Sequence, residues 1–424
     1  MITKAKISKF SIPYKWEMII LLWFAFFLNQ GDRQVFNSVL PLIRVDLGLS
    51  DIQLGLIATV FTIFYGVLVP FAGYAGDIFS RKSIVLLSLL VFSVGTLVTG
   101  FASGLIAMIV FRSIATGGGE AFYYPAANSL IGHYHSRSRA QAMAIHQTAN
   151  YTGVVLGGFL AAYIGELFGW RMSFFTYGFL GLILAVFIWF RFKNPDKERV
   201  QIKSAAEKLP VSELLKIIFK KPTVLLLSFA FGGMAFVHIG YVTWMPTFLH
   251  EKFNLSLSNA GFSSMFYHHL LAYVGVLAGG KISDKLAVRF FNVRIKIEFL
   301  GLLLGAPFIF LMGASSELLV VYAALAGFGF FRGIYDSNLF AALFDVVEPK
   351  YRASATGFML SIAFIIASLA PVILGWAKQS VGLSMGISLL SVIYVLSALI
   401  IWIAIKWFFK KDFVKETNQQ QDEN

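Results

Sequence analysis

Apolar stretches of spanning length follow one another along almost the whole chain, and few folds can accept that pattern. A helix crossing the hydrocarbon core of a bilayer needs about 20 predominantly apolar residues. Twelve stretches reach that length: 17–40, 52–75, 83–102, 105–132, 139–164, 172–193, 222–247, 258–282, 295–313, 317–345, 354–376 and 382–406. Charged residues make up only 13 % of the chain, against about 25 % in a soluble domain. A soluble fold of this size would lack the charge to cover its surface. The expectation is an all-α membrane protein of twelve transmembrane helices, since a helix satisfies its own backbone in lipid.

The basic residues are distributed unevenly about those spans. Arg33, Arg112 and Arg332 lie deep within them, while only Arg44, Arg171, Lys252 and Lys378 fall in odd-numbered loops. Most of the other Lys and Arg lie at the termini and in the even-numbered loops. Short basic loops stay cytoplasmic. Both termini are therefore expected in the cytoplasm, with the protein in a bacterial inner membrane. The same asymmetry explains the formal charge of +13 without nucleic acid. Residues 1–15 are basic but lack the short apolar core of a cleaved signal.

The long polar stretch 194–221 splits the chain. Residues 1–193 and 222–411 are expected as two six-helix bundles, 194–221 as a cytoplasmic linker and 412–424 as a disordered tail. The halves repeat each other. Pro41 recurs as Pro246, Leu49-Ser50 as Leu255-Ser256, Gly55 as Gly261, Gly73 and Asp77 as Gly280 and Asp284, and Arg139 as Arg352. Two parallel repeats of this kind are an architecture of secondary transporters.

Enzyme chemistry finds no support. There are no cysteines, no paired-histidine zinc motif and no glycine-rich nucleotide loop after a strand. No cofactor and no metal is implied. The informative residues are instead the charges inside spans: Asp32, Arg33, Arg112, Glu120, Arg332 and Asp336. Each costs roughly 2.5–3.5 kcal/mol at mid-bilayer on insertion scales, so they are expected to share a polar cavity and to neutralise one another. Helical spacing agrees. Asn29, Asp32 and Arg33 share one face of span one. Arg112, Thr116 and Glu120 do so on span four, and Arg332 and Asp336 on span ten, with Tyr335 beside them. His238, Tyr241 and Trp244 are the polar contribution of span seven. His146 and Asn150, one turn apart on span five, are candidate substrate contacts, as are His268 and His269 on span eight.

Several motifs resemble those of the major facilitator superfamily. Gly73, Asp77, Arg81 and Lys82 resemble its signature loop after span two, though Ile78 stands where the family usually has a basic residue. Arg112 followed by Gly117 resembles the fourth-helix motif, and Gly153, Gly157 and Gly158 resemble the glycine-rich fifth helix. The resemblance runs from Trp16 to about Lys411. It implies that Gly73, Asp77, Arg81, Lys82 and Asp284 form a conformational latch, with Arg81 and Lys82 at the anionic inner leaflet. Asn29, Asp32 and Arg33 together with Glu120 are similar to the anion:cation symporter branch, which moves sugar acids with protons, and also to the spinster branch of lipid transporters.

By that resemblance Asp32 and Glu120 carry protons. Asn29, Arg33, Arg112, His146, Asn150, Tyr241, Arg332, Tyr335 and Asp336 would contact substrate. The partners implied are a small anionic molecule, a proton or sodium ion and membrane lipid, with the protein acting as a monomer.

Overall fold

The computed structural model describes residues 13–135, 138–193 and 220–414. The 194–221 linker and the 412–424 tail therefore fall almost wholly outside the described residues, as does the side chain of Asp77.

Among the described residues the chain forms twelve long helices. They are α1 (Tyr14–Leu47), α2 (Asp51–Ile78), α3 (Arg81–Thr99), α4 (Leu105–Tyr134), α5 (Arg139–Thr152 continuing through Gly158–Phe168), α6 (Trp170–Arg191), α7 (Pro222–Phe253), α8 (Leu257–Ala287), α9 (Val293–Ala314), α10 (Leu318–Val346), α11 (Arg352–Ser368 and Ala370–Ser380) and α12 (Leu383–Ile403). Ten are apolar and long enough to cross a membrane. The other two, α1 and α8, are 34 and 31 residues long but carry a polar stripe.

The repeat seen in the sequence is a repeat of helix boundaries. Ser50 caps α2, its hydroxyl accepting from the Gln53 backbone N–H at 3.2 Å while the Gln53 side chain accepts from the Ser50 backbone. Ser256 caps α8 in the same way at 3.2 Å. A serine oxygen here satisfies a backbone donor that the first helical turn leaves open. Each preceding helix stops at a left-handed residue, Gly48 (φ 61°) after α1 and Asn254 (φ 53°) after α7. Repeated prolines sit inside α1 and α7.

Small residues set the distances between helices. Gly31 of α1 lies directly against Gly157 of α5, where a Cβ on either would collide with its neighbours. In the second bundle, Gly329 and Gly333 press α10 onto the backbone of α8 at His268 and Ala272. Such contacts let dispersion act across backbones in lipid, where helix association has no hydrophobic driving force.

The two bundles meet at the end that carries the odd-numbered loops. Arg44 pairs with Glu251 at 3.1 Å and Lys378 with Asp51 at 3.0 Å, each bridging the halves. Arg44 also reaches Asp51 (3.4 Å) and Lys378 reaches Glu251 (2.9 Å), closing a four-charge ring. Glu166 of α5 accepts from the backbone N–H groups of Leu257 and Ser258 at 3.3 Å, capping α8 from the other half. Aromatic contacts between Tyr65 and Phe364 and between Tyr151 and Tyr273 join the halves farther in.

Candidate functional site

Behind that closed end lies a cavity of about 320 Å³, at mid-height between the bundles. Eight helices line it. The first half provides Gln30, Arg33, Gln34 and Asn37 (α1), Phe61 and Tyr65 (α2), Arg112 (α4), and Asn150 and Tyr151 (α5). The second half provides His238 and Thr243 (α7), His269 (α8), Arg332 and Asp336 (α10), and Phe364 (α11).

The first-half charges pair between helices rather than between sequence neighbours. Arg112 Nη1 donates to Asp32 Oδ2 at 3.1 Å, and its Nη2 donates to the backbone oxygens of Asp32 (3.2 Å) and Arg33 (3.4 Å). Thr96 of α3 donates to the other Asp32 oxygen at 2.8 Å. Arg33 Nε donates to Glu120 Oε2 at 2.5 Å. Arg112 stands 3.8 Å from the remaining Glu120 oxygen. A four-member network results, with formal charge zero when all are ionised. The guanidiniums are seated on aromatic faces, Arg33 over Tyr65 at 4.1 Å and Arg112 over Phe61 at 4.6 Å, a favourable cation–π geometry.

The α4 backbone helps to place these groups. A π-helical stretch, Ile109–Thr116, carries Arg112, and three glycines follow it before Glu120. Gly119 abuts the Phe92 backbone of α3, so a side chain there would push Glu120 away from Arg33. Widened turns of this kind are frequent at functional sites.

Asp32 and Glu120 are both buried and lie behind the arginines, outside the cavity lining. The cavity surface therefore presents three guanidiniums (Arg33, Arg112 and Arg332) and one carboxylate (Asp336). That surface attracts anions.

Arg332 has a different seat. Its Nη1 donates to His238 Nδ1 at 2.9 Å and to His268 Nε2 at 3.0 Å. A guanidinium has no acceptor, so both imidazoles accept and are neutral. Asp336 pairs with Arg332 at 3.4 Å.

Other expected contacts are placed elsewhere. His146 is buried against Phe26, and its Nε2 sits 3.2 Å from the Tyr123 hydroxyl. That hydroxyl donates to the Leu22 carbonyl, so His146 is its donor. Only Asn150, one turn on, reaches the cavity. Tyr241 is buried and donates to the Ser264 carbonyl. Trp244 donates to the Pro371 carbonyl at 2.9 Å. Tyr335 points into the second bundle, and Asn29 is buried beside Gln30. None of these five lines the cavity.

Three residues of the latch motif are described. Arg81 is buried and donates to the Ser129 carbonyl at 3.5 Å, and Lys82 donates to the carbonyls of Trp189 (3.0 Å) and Phe192. Lys82 thereby serves two carbonyls at the end of α6. Asp284 is exposed on α8.

Sequence reasoning missed Gln30, Gln34 and Asn37, although they share the face of Arg33 at helical spacing. It also missed Glu298, an acid inside the apolar run of α9 that is buried in the second bundle. Phe61 and Tyr65 carried no signal among 44 Phe and 16 Tyr.

The chain is similar to known proteins over most of its length. A hexuronate transporter of Bacillus subtilis is 27 % identical over 403 residues, covering 89 % of this chain and 91 % of that protein. A probable sulfoacetate transporter of Cupriavidus necator is 26 % identical, covering 84 % and 86 %. Among solved structures, a bacterial homolog of the human lysosomal transporter Spinster, inward-facing and unoccupied, superposes with a TM-score of 0.84 at 23 % identity, covering 96 % of this chain and all of that one. The family model for the Major Facilitator Superfamily matches residues 22–371. With twelve helices in two repeated bundles and a match over most of its length, the chain belongs to the major facilitator superfamily of membrane transporters.

Proposed function

We propose that the chain is a proton-coupled symporter that carries a small organic anion of the hexuronate type across a bacterial inner membrane, with both termini in the cytoplasm. One observation carries the reading: the cavity shows guanidiniums from both halves while the first-half acids sit behind them. Glu120 holds Arg33 as long as it is ionised. Protonation of Glu120 weakens that pair and frees the Arg33 guanidinium for a substrate carboxylate, which Arg332 approaches from the other half. Asp32, held by Arg112 and Thr96, is the second proton-carrying candidate of the first half.

Charge balance supports the coupling. Arg33, Arg112 and Arg332 offset Asp32, Glu120 and Asp336, so the empty site is neutral. An anion alone would leave one uncompensated negative charge in a low-dielectric space, which is costly. An anion and one proton restore neutrality and permit the halves to rock about the site. The sugar-acid and sulfoacetate relatives support the same cargo class.

The test is uptake of radiolabelled D-glucuronate into proteoliposomes under an imposed pH gradient. Uptake driven by external acid is expected. Uptake indifferent to the gradient would sink the coupling. Selective binding of lysolipids with no uptake of sugar acids would favour a spinster-like amphiphile transporter instead.

A further inference from the structure

The second bundle contains an acid that the scheme above does not use. Glu298 lies on the face of α9 that also carries Gly301 and Gly305. The glycines bring that face onto aromatic neighbours: a Cβ at Gly301 would stand 3.1 Å from the Tyr335 Cβ, and one at Gly305 would stand 3.0 Å from the Tyr394 ring. Glu298 is fully buried there. Neither of its carboxyl oxygens has a hydrogen-bond partner among the described residues, and the hydroxyls of Tyr335 and Tyr394 also lack one.

Among the described residues no free cation is placed to balance it. The carboxylates of Asp336 and Asp345 on α10 face it, and Tyr394 of α12 lies by Tyr335. Arg294, one turn earlier on α9, is engaged with Asp345 at 2.5 Å, and Arg332 is engaged with Asp336. Lys296 is exposed on the far side of α9. An ionised carboxylate at this position would lose its hydration, gain no donor and stand beside two ion pairs that bring no net positive charge. Glu298 therefore holds a proton in this conformation. It is also one helix wall from the cavity, because its neighbour Tyr335 directly precedes the cavity residue Asp336.

We propose that Glu298 is a further proton-carrying carboxyl of the transport cycle, contributed by the second bundle. It reaches the conformation described here still carrying its proton and releases it, on the side opposite the closed end, when α9 and α10 shift against each other. The proposal rests on the proton-coupled reading above. Its balance differs from a one-proton scheme: one monoanion with two protons moves a net positive charge, whereas one proton per monoanion moves none. D-Glucuronate uptake should therefore respond to membrane potential as well as to pH.

The experiment uses the full chain in proteoliposomes with radiolabelled D-glucuronate, a pH gradient and a potassium–valinomycin potential. Wild-type uptake should accelerate when the interior is negative, and Glu298→Gln should lose that response. Each coupled proton supports about tenfold accumulation per pH unit, so Glu298→Gln should accumulate about tenfold less at a one-unit gradient. Wild-type uptake that follows pH but ignores potential, or a Glu298→Gln variant that accumulates like wild type, overturns the proposal. Wild-type uptake indifferent to pH overturns the coupling reading instead.

An infrared measurement on the purified protein decides the proton's residence separately. A carbonyl stretch from a buried protonated carboxyl should be present in wild type and Glu120→Gln but lost in Glu298→Gln. If the Gln variant fails to fold, Glu298→Asp should shift the band. A spectrum unchanged by substitution at Glu298 overturns the assignment.

Discussion

Arg33 and Glu120 are 87 residues apart in sequence, yet Arg33 Nε meets Glu120 Oε2 at 2.5 Å, tying α1 to α4 at the wall of the cavity. Arg33 alone of the pair faces the cavity, so the state of Glu120 controls how much of its positive charge a ligand meets. Glu120→Gln mimics the protonated acid. It should keep D-glucuronate binding and make it independent of pH, while pH-driven uptake falls at least tenfold, about 1.4 kcal/mol of lost coupling. Binding by titration calorimetry at several pH values, with uptake beside it, reads both. A variant as strongly driven by pH as wild type would remove Glu120 from the mechanism.

Arg112 is a structural anchor as well as a cavity group. It bonds the Asp32 carboxylate and two backbone oxygens of α1. Arg112→Ala would leave Asp32 buried without its main partner, at a cost of about 3–5 kcal/mol. A clear drop in melting temperature in detergent is expected. Asp32→Asn combined with Arg112→Gln should recover a good part of it. Additive losses in the double variant would show that the two residues do not act as a pair.

The histidine seat of Arg332 predicts a split in kinetic constants. Hydrogen bonds to charged groups are worth about 1.5–3 kcal/mol. His268→Phe should therefore raise the KM for D-glucuronate roughly tenfold or more, by letting the guanidinium leave its position. His146→Phe, placed on the Phe26–Tyr123 side of its helix, should leave KM nearly unchanged. Equal effects at the two histidines would contradict the geometry.

The ring of Arg44, Asp51, Glu251 and Lys378 should set the balance between the two orientations of the transporter. The Arg44 and Glu251 side chains are about one-third exposed, and Lys378 and Asp51 are set deeper. At about 1 kcal/mol per pair, Arg44→Ala with Lys378→Ala should shift that balance severalfold toward opening at this end. The chain has no cysteine, which permits a single probe at Thr243→Cys inside the cavity. Faster labelling from the odd-loop side is expected in the double variant. A labelling rate equal to that of the parent would show that the ring does not act as a gate.

The sequence alone determined what depends on order along the chain. Apolar run length fixed the helices, because the transfer free energy of each residue into lipid adds along a span. The repeated Leu-Ser positions marked corresponding helix starts in the two halves, because caps act within a few residues. The cost of burying charge singled out Asp32, Arg33, Arg112, Glu120, Arg332 and Asp336 before any fold was known.

Tertiary structure decided what depends on rotation and depth between helices. Asp32 and Arg33 are adjacent but pair with Arg112 and Glu120 respectively, since neighbours in a helix point about a quarter-turn apart. Asn150 reaches the cavity while His146, on the same stripe, is taken up by Phe26 and Tyr123. The two histidines on Arg332 come from α7 and α8, and glycine contacts that local patterns do not encode hold α8 against α10. A side chain's neighbours across a bundle follow from how closely backbones approach, and that distance is set by residues far away in the chain.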